Sequence, residues 1–271
     1  MSSPPASIII PVLDQVGAWL AHCARSALRQ TVDCEVIVVH SPRTGASNLN
    51  TLIELSRAHP SLVVVQEPPG GGFARAINFG VLCARSDRIG LLLSDDWLEP
   101  RAVERCLAHA ADIVSTDHTE YLEDGVTTSP VVSRGRRAQA FERLATLEQQ
   151  ARYLKHFFLF RKAKLIEVGG LDESLGDFPG IDDFDLIWTL LEHGATVAVV
   201  EESLYNYRDH HRERLTLRNA DQAIRTMGRI LDKHGLAGGE KQRVLALHAP
   251  WYGRPVHVVH AEMAGQRFEN A

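Results

Sequence analysis

An unbroken apolar run, Ile89 to Leu93, ends one residue before two adjacent aspartates, Asp95 and Asp96. A run that is apolar on both alternating faces stays dry only inside a sheet covered by helices on both sides, the setting of a parallel strand. Upstream lie the glycine turn Gly70-Gly71-Gly72 and a segment of helical spacing, so residues 70–97 read as turn, helix, strand and acidic edge. The preceding chain repeats the alternation. Ser7 to Val12, Glu35 to Val39 and Leu62 to Val65 are further apolar, β-branched runs, and Asp112 to Ser115 is another. Between them Leu20, Cys23, Ala24, Ala27 and Leu28, then Leu49, Leu52 and Ile53, then Val103, Cys106, Leu107 and Ala110 recur at helical spacing. This alternation predicts an α/β fold, with a mostly parallel central sheet flanked by helices and right-handed crossovers. Ligands of open α/β sheets bind beyond the carboxyl ends of the strands. Two carboxylates placed there can hold a divalent cation, and through it a phosphate.

After about residue 120 the rhythm changes. Residues 123–140 contain a hairpin-like turn and a basic loop with Arg134, Arg136 and Arg137, and a helical segment leads to Tyr153–Arg161. Asp182 to His193 reads as a helix, Ala195 to Val200 as a short strand, and Ala223, Ile224, Met227, Ile230 and Leu231 as one more amphipathic helix. The last thirty residues or so read as a helix and a tail able to serve homodimer contacts. Without internal repeats or a low-complexity linker, residues 1–271 are expected to form one domain.

Composition narrows the classes. A net charge of −5 points away from nucleic-acid partners. The cysteines Cys23, Cys34, Cys83 and Cys106 fall in apolar patterns without CxxC pairing, as expected of reduced core residues in a cytoplasmic protein. The N-terminus lacks a basic region and its apolar run is broken by Pro11, which argues against a signal peptide, and no stretch approaches the length of a membrane span.

Several motifs recur in a fixed order: SIIIPV at 7–12, SALRQT at 26–31, Ala76-x-Asn78-x-Gly80, Ser94-Asp95-Asp96, VGGLDE at 168–173, DDFDL at 182–186 and YRDH at 207–210. Together they resemble the family 2 glycosyltransferases, of the nucleotide-diphospho-sugar transferase (GT-A) fold, over roughly residues 6 to 216. The resemblance implies a nucleotide-sugar-binding half (1–117), an acceptor-binding and catalytic half (118–216) and a C-terminal helical extension (217–271). It also implies a nucleoside-diphosphate sugar donor, a small-molecule, glycan or glycolipid acceptor, and Mn²⁺ or Mg²⁺ as cofactor.

The same resemblance implies roles for single residues. Asp96 would contact the metal, while Asp95 would orient the ribose or a metal-bound water. An alternative reading has the Asp pair capping the next helix, although Pro100 makes Glu99 the better cap. His210 would be the third metal ligand, with His211 its competitor and a surface histidine the alternative; an imidazole leans the choice towards Mn²⁺. Asp183 would be the catalytic base. Like-charge repulsion from Asp182 and Asp185 would favour proton uptake there, and the rival reading is helix chemistry, with Asp182 as N-cap. Asp182, where the family usually carries Glu, and Trp188 would face the acceptor. Trp188 and Trp97 are able to stack on a sugar, and packing accounts for them equally well.

For the nucleotide, the candidates are Pro11, Asp14, Ser41, Arg75, Asn78 and Asp95, with Arg75 reaching a phosphate from the glycine turn. One departure stands out. The family's second strand usually ends in an acidic pair that reads the nucleobase, and here the segment is Val39-His40-Ser41-Pro42-Arg43. Ser41 or a backbone carbonyl would then have to accept from the base. The loop of Arg134, Arg136 and Arg137 reads as solvated, with an anionic acceptor or peripheral membrane contact as the alternative.

The resemblance therefore implies an inverting, metal-dependent glycosyltransferase. A sugar nucleotidyltransferase would need basic residues just after the first strand, and residues 11–19 contain no Arg or Lys. A non-catalytic nucleotide-sugar-binding protein of the same fold is the other alternative, favoured slightly by the altered segment 40–43.

Overall fold

The computed structural model describes residues 3–68, 70–128, 135–175, 181–210 and 220–269. Arg134 and His211, both singled out above, lie outside these residues. The first half is built from β1 (Ser7–Val12), α1 (Gly17–Leu28), β2 (Glu35–His40), α2 (Ala46–Ala58), β3 (Leu62–Gln66), α3 (Phe73–Cys83), β4 (Arg88–Leu91), β5 (Trp97–Leu98) and α4 (Ala102–Leu107). All six residues of β1 are buried, because helices cover both faces of the sheet. Ile9 belongs to the layer shared with Ile77 of α3, while Ile8 and Ile10 join Leu20 of α1 and Leu52 of α2 on the opposite side. The helix α3 lies very close to the strands. A Cβ added at Gly80 would come within 2.6 Å of Ile9 and 3.1 Å of Val39, so the motif glycine is required by a close approach.

Downstream come β6 (Ile113–Tyr121), α5 (Ala138–Glu142), α6 (Leu147–Tyr153), β7 (Phe158–Arg161), α7 (Lys162–Glu167), α8 (Asp182–Glu192) and β8 (Val197–Arg208). The strand order is β3-β2-β1-β4-β7-β6-β8-β5. The block β3-β2-β1-β4 is parallel, as expected from the alternation. Beyond it the sheet is mixed: β7 runs antiparallel to both β4 and β6, β6 and β8 are parallel, and β5 is antiparallel to β8. The sequence assigns no strand to the segment around Phe158, to which a helical segment leads. Its aromatic run FFLF is instead buried within the sheet, between β4 and β6.

The chain then folds back on itself through α9 (Ala220–Lys233), α10 (Gly238–His248) and α11 (Val256–Glu269). Ala223, Met227, Ile230 and Leu231 of α9 and Val244 of α10 enter the same core layer as Phe184 and Trp188 of α8. Val259 of α11 is also buried. No helix among the described residues is long and apolar enough to cross a membrane.

Candidate active site

The parallel block places the carboxyl ends of β1, β2, β3 and β4 on one edge. The critical addition comes from β8. Its pairing with β5, Trp97 opposite Asn206 and Leu98 opposite Tyr205, carries the residues after Tyr205 past the acidic pair at the end of β4. Asp96 is 1% exposed; its carboxylate accepts from the Tyr205 hydroxyl and, at 2.7 Å, from the Arg208 main-chain N–H. Burial, and then the negative charge of Asp96, push the Tyr205 phenol well above its ordinary range, which keeps it a hydrogen-bond donor.

Asp95 has the other orientation. Its Oδ2 lies 3.0 Å from Nε2 of His210, and its main-chain carbonyl accepts from Arg208 Nε at 3.0 Å. The His210 ring is tilted against Trp19 at 4.8 Å, and its buried Nδ1 has no hydrogen-bond partner among the described residues. The Arg208 guanidinium lies 4.8 Å from the Trp19 ring centre and 4.9 Å from that of Trp97, an aromatic clamp that fixes a cation beside the pair. Trp97 also stacks on His22, so packing accounts for it. Glu99 accepts from Asn206 instead of capping α4; the main-chain N–H of Val103 in that helix donates to Gln30.

A carboxylate oxygen and an imidazole nitrogen facing each other form a donor set that suits Mn²⁺ better than Mg²⁺. No group of three or more His, Cys, Asp or Glu side chains is arranged to hold a metal ion among the described residues. Asp95 and His210 therefore fit a metal whose remaining ligands are phosphate oxygens and water.

At the nucleotide end, Pro11 is a buried residue of β1 opposite Val39, and Asp14 is exposed and accepts from Asn48 at 3.3 Å. Ser41 is buried and bound locally: its N–H donates to Val12 and its hydroxyl accepts from the Arg43 N–H. Sequence reasoning missed Glu67. This residue follows β3, is 5% exposed, donates its N–H to the His40 carbonyl and accepts from the Gly72 N–H at 3.3 Å. It puts a buried carboxylate beside the segment whose own acid is absent. The signal was present, since QEPP closes an apolar strand at its carboxyl end. Arg75 and Asn78 turn toward the Gly169–Glu173 turn. Arg75 Nε lies 3.0 Å from Glu173, and the Asn78 amide clasps both the N–H and the carbonyl of Leu171 at 2.9 Å.

On the acceptor side, Asp183 is half-buried at the start of α8 and accepts from the Phe184 N–H. Asp182 is the first helical residue and the cap position is Ile181, so the expected Asp182 cap is not formed. Asp185 does not add like charge to the site either. It is buried in an ion pair with Lys233 at 2.7 Å and His234 at 3.0 Å, joining α8 to α9. Trp188 is corrected as well: it is 3% exposed and stacked on His234 at 4.2 Å, hence a core residue with no face for an acceptor. Arg136 is no solvated loop residue, since it donates to the Tyr153 carbonyl and pairs with buried Asp117, whereas Arg137 is exposed and pairs with Glu201.

Two residues that no motif announced share the surroundings of Asp183. Burial lowers the pKa of Lys155 while Asp183 acts to raise it, and burial followed by Asp183 pushes the Tyr252 phenol up. The Tyr252 hydroxyl is buried and makes no hydrogen bond among the described residues. His248, whose ring lies 5.1 Å from that of Phe184, is depressed to about 3 by burial and then by Lys155 and Arg152, so it is neutral.

A model of glycosyl transferase family 2 matches residues 7–169, more than half of the chain. The chain belongs to glycosyl transferase family 2. Among curated relatives it is 29% identical over 252 residues to the O-antigen biosynthesis protein RfbC of Myxococcus xanthus, covering 89% of this chain and 19% of that one. It is 27% identical to the putative glycosyltransferase EpsH of Bacillus subtilis, covering 78% of this chain and 62% of the relative. The chain thus spans about a fifth of the first relative and under two thirds of the second. Among solved structures, the mannosyltransferase PcManGT of Pyrobaculum calidifontis, in complex with GDP-Man and Mn²⁺, aligns with a TM-score of 0.66 at 17% identity, covering 97% of this chain and 76% of its own. TarS of S. aureus in complex with UDP-GlcNAc aligns at 0.63 and 18% identity, covering 89% and 70%. At such identities the likeness establishes the shared fold.

Proposed function

We propose that this family 2 glycosyltransferase is an inverting, metal-dependent enzyme that moves a sugar from a nucleoside-diphosphate sugar to an acceptor hydroxyl. The observation that carries the reading is the facing pair Asp95 and His210 at the end of β4, on the strand-end edge where ligands of such sheets bind. The geometry favours Asp95, rather than Asp96, as the carboxylate for the metal, because Asp96 is committed to Tyr205 and Arg208. A bound Mn²⁺ would neutralise the diphosphate and help it leave as an anion. Arg208, held between Trp19 and Trp97, adds fixed positive charge beside the pair.

Asp183 is the base in this reading. Its carboxylate takes the proton of the acceptor hydroxyl as that oxygen bonds to the anomeric carbon. The bond from that carbon to the diphosphate oxygen breaks with its electron pair going to the diphosphate, so configuration inverts. Lys155 and Tyr252 share the electrostatic surroundings of Asp183. At the nucleobase end, Glu67 is the buried carboxylate available to accept from a base N–H, with Ser41 and Asp14 beside the same edge. The relatives bound to UDP-GlcNAc and GDP-Man make uridine and guanosine diphosphates the first donors to try.

The test is a thermal-shift series with UDP, GDP and other nucleoside diphosphates, with and without Mn²⁺, followed by slow hydrolysis of the matching nucleotide sugar. A metal-dependent rise with one nucleotide is expected. Asp183→Asn should keep that rise while transfer to an acceptor falls by about a hundredfold or more. Unchanged transfer in Asp183→Asn removes the assignment of the base.

A further inference from the structure

We propose that Asp209 is a positioning residue: it tethers the neighbouring metal-facing His210 to the N-terminus of α11, making the C-terminal helix part of the active-site framework. The inference rests on the reading of Asp95 and His210 given above. The Asp209 side chain is 0% exposed, and a buried carboxylate is tolerated only when its oxygens are satisfied. Here α11 supplies the donors. Oδ1 accepts from the Val256 N–H at 3.2 Å, Oδ2 accepts from the His257 N–H at 2.8 Å, and the His257 ring closes on the same oxygen through Nδ1. These are the first two N–H groups of the helix, which a helix cannot satisfy by itself. The preceding residues, Arg254-Pro255, offer no side-chain acceptor of the usual capping kind, so a carboxylate 47 residues upstream of Val256 takes the place of a local cap.

Both ends of the tether are firm. The Asp209 N–H donates to the Tyr121 carbonyl at 2.7 Å, extending the β6–β8 ladder to the residue before His210. On its own side α11 is seated on that same pair of strands. Val256, at the tethered end, packs against the buried layer that contains Leu204 and Tyr207 of β8, while His260, one turn further on, lies 3.5 Å from Glu120 of β6 and outside the tether. His210 itself touches Asp95 and the Trp19 ring, and neither contact sets how far its main chain stands from β4. The Arg208 N–H bond to Asp96 and the Asp209 N–H bond to Tyr121 place that main chain, and the Asp209 clasp secures it from α11. Groups that orient a metal ligand from behind typically change metal affinity ten- to a hundredfold when removed.

The experiment measures Mn²⁺ affinity by the electron paramagnetic resonance signal of free Mn²⁺, titrated in the presence of UDP and, in parallel, GDP. The full chain is used, with circular dichroism melting curves recorded alongside. Asp209→Asn is expected to weaken Mn²⁺ binding about tenfold or more. His260→Ala loosens α11 away from the tether, and its Mn²⁺ affinity should match wild type even where its melting point falls. Wild-type affinity in Asp209→Asn, or an equal loss in His260→Ala, overturns the inference and leaves the functional reading standing. Absence of nucleotide-dependent Mn²⁺ binding in the wild type overturns both. Should Asp209→Asn fail to fold, Asp209→Glu, which keeps the charge but displaces the carboxylate from the two helix N–H groups, takes over the comparison, and Mn²⁺ affinity equal to wild type overturns the inference.

Discussion

Two adjacent aspartates do different work because a strand end turns their side chains apart. Asp96 faces inward, where Tyr205 and the Arg208 N–H take both its oxygens, and Asp95 faces His210. Asp96→Ala would leave a buried hydroxyl and a buried N–H unpaired, a loss of about 3 kcal/mol in unfolding free energy by denaturant titration. Asp95→Asn keeps the side-chain shape and an oxygen to face His210, so it should cost no more than about 1 kcal/mol of that free energy. It should instead abolish the Mn²⁺-dependent part of the nucleotide thermal shift. The acidic pair was legible from its place after an apolar run. The division of labour was not, because the partners of Asp96 lie 109 and 112 residues further along the chain. Asp183 lies in the DDFDL motif, whereas Lys155 and Tyr252 belong to no motif and enter its electrostatic surroundings only through the fold.

At the scale of elements, the parallel block followed directly from the alternation of apolar runs and helical spacing, and the strands beyond it did not. β8 reads as a short strand because the exposed triplet Glu201-Glu202-Ser203 interrupts its pattern, yet ladders to β6 and β5 carry it to Arg208. β7 was hidden because an aromatic run is compatible with a helix until its partners are known. The start of β6 is locked to both neighbours by Asp112, which bonds Arg161 at 2.8 Å and both the N–H and hydroxyl of Thr196. Burial works against this carboxylate, but the Thr196 and Arg161 bonds outweigh it and lower its pKa from 3.8 to about 2. The folded value is below the unfolded one, so the stabilisation is complete above about pH 4 and is lost as pH falls towards about 2. It amounts to about 2 kcal/mol. Denaturation midpoints measured from pH 5 downward should therefore fall less steeply in Asp112→Asn than in wild type. The packing of α3 has its own test. Gly80→Ala forces a methyl group onto Ile9 and should cost about 1–3 kcal/mol in a denaturant melt, because well-packed cores resist added volume.

For the molecule as a whole, the site is assembled from parts that are remote in the chain. In the proposed site the β4 end supplies Asp95, the β8 end His210, the start of α8 Asp183, and the C-terminal helices the anchor for Asp209. The helices α9, α10 and α11 pack on the core rather than trailing from it. By itself the sequence determined the local quantities: which runs are dry on both faces, which segments have helical spacing, and which carboxylates stand at strand and helix ends. These depend on periodicity and residue chemistry within a few turns of chain. Tertiary structure alone decided that Asp95 faces His210, that Trp188 and Asp185 are spent on the core, that Glu67 lies beside His40, and that α11 holds Asp209. Each of these is a contact across strands or helices far apart in sequence, and register and packing, rather than spacing along the chain, select which side chains meet.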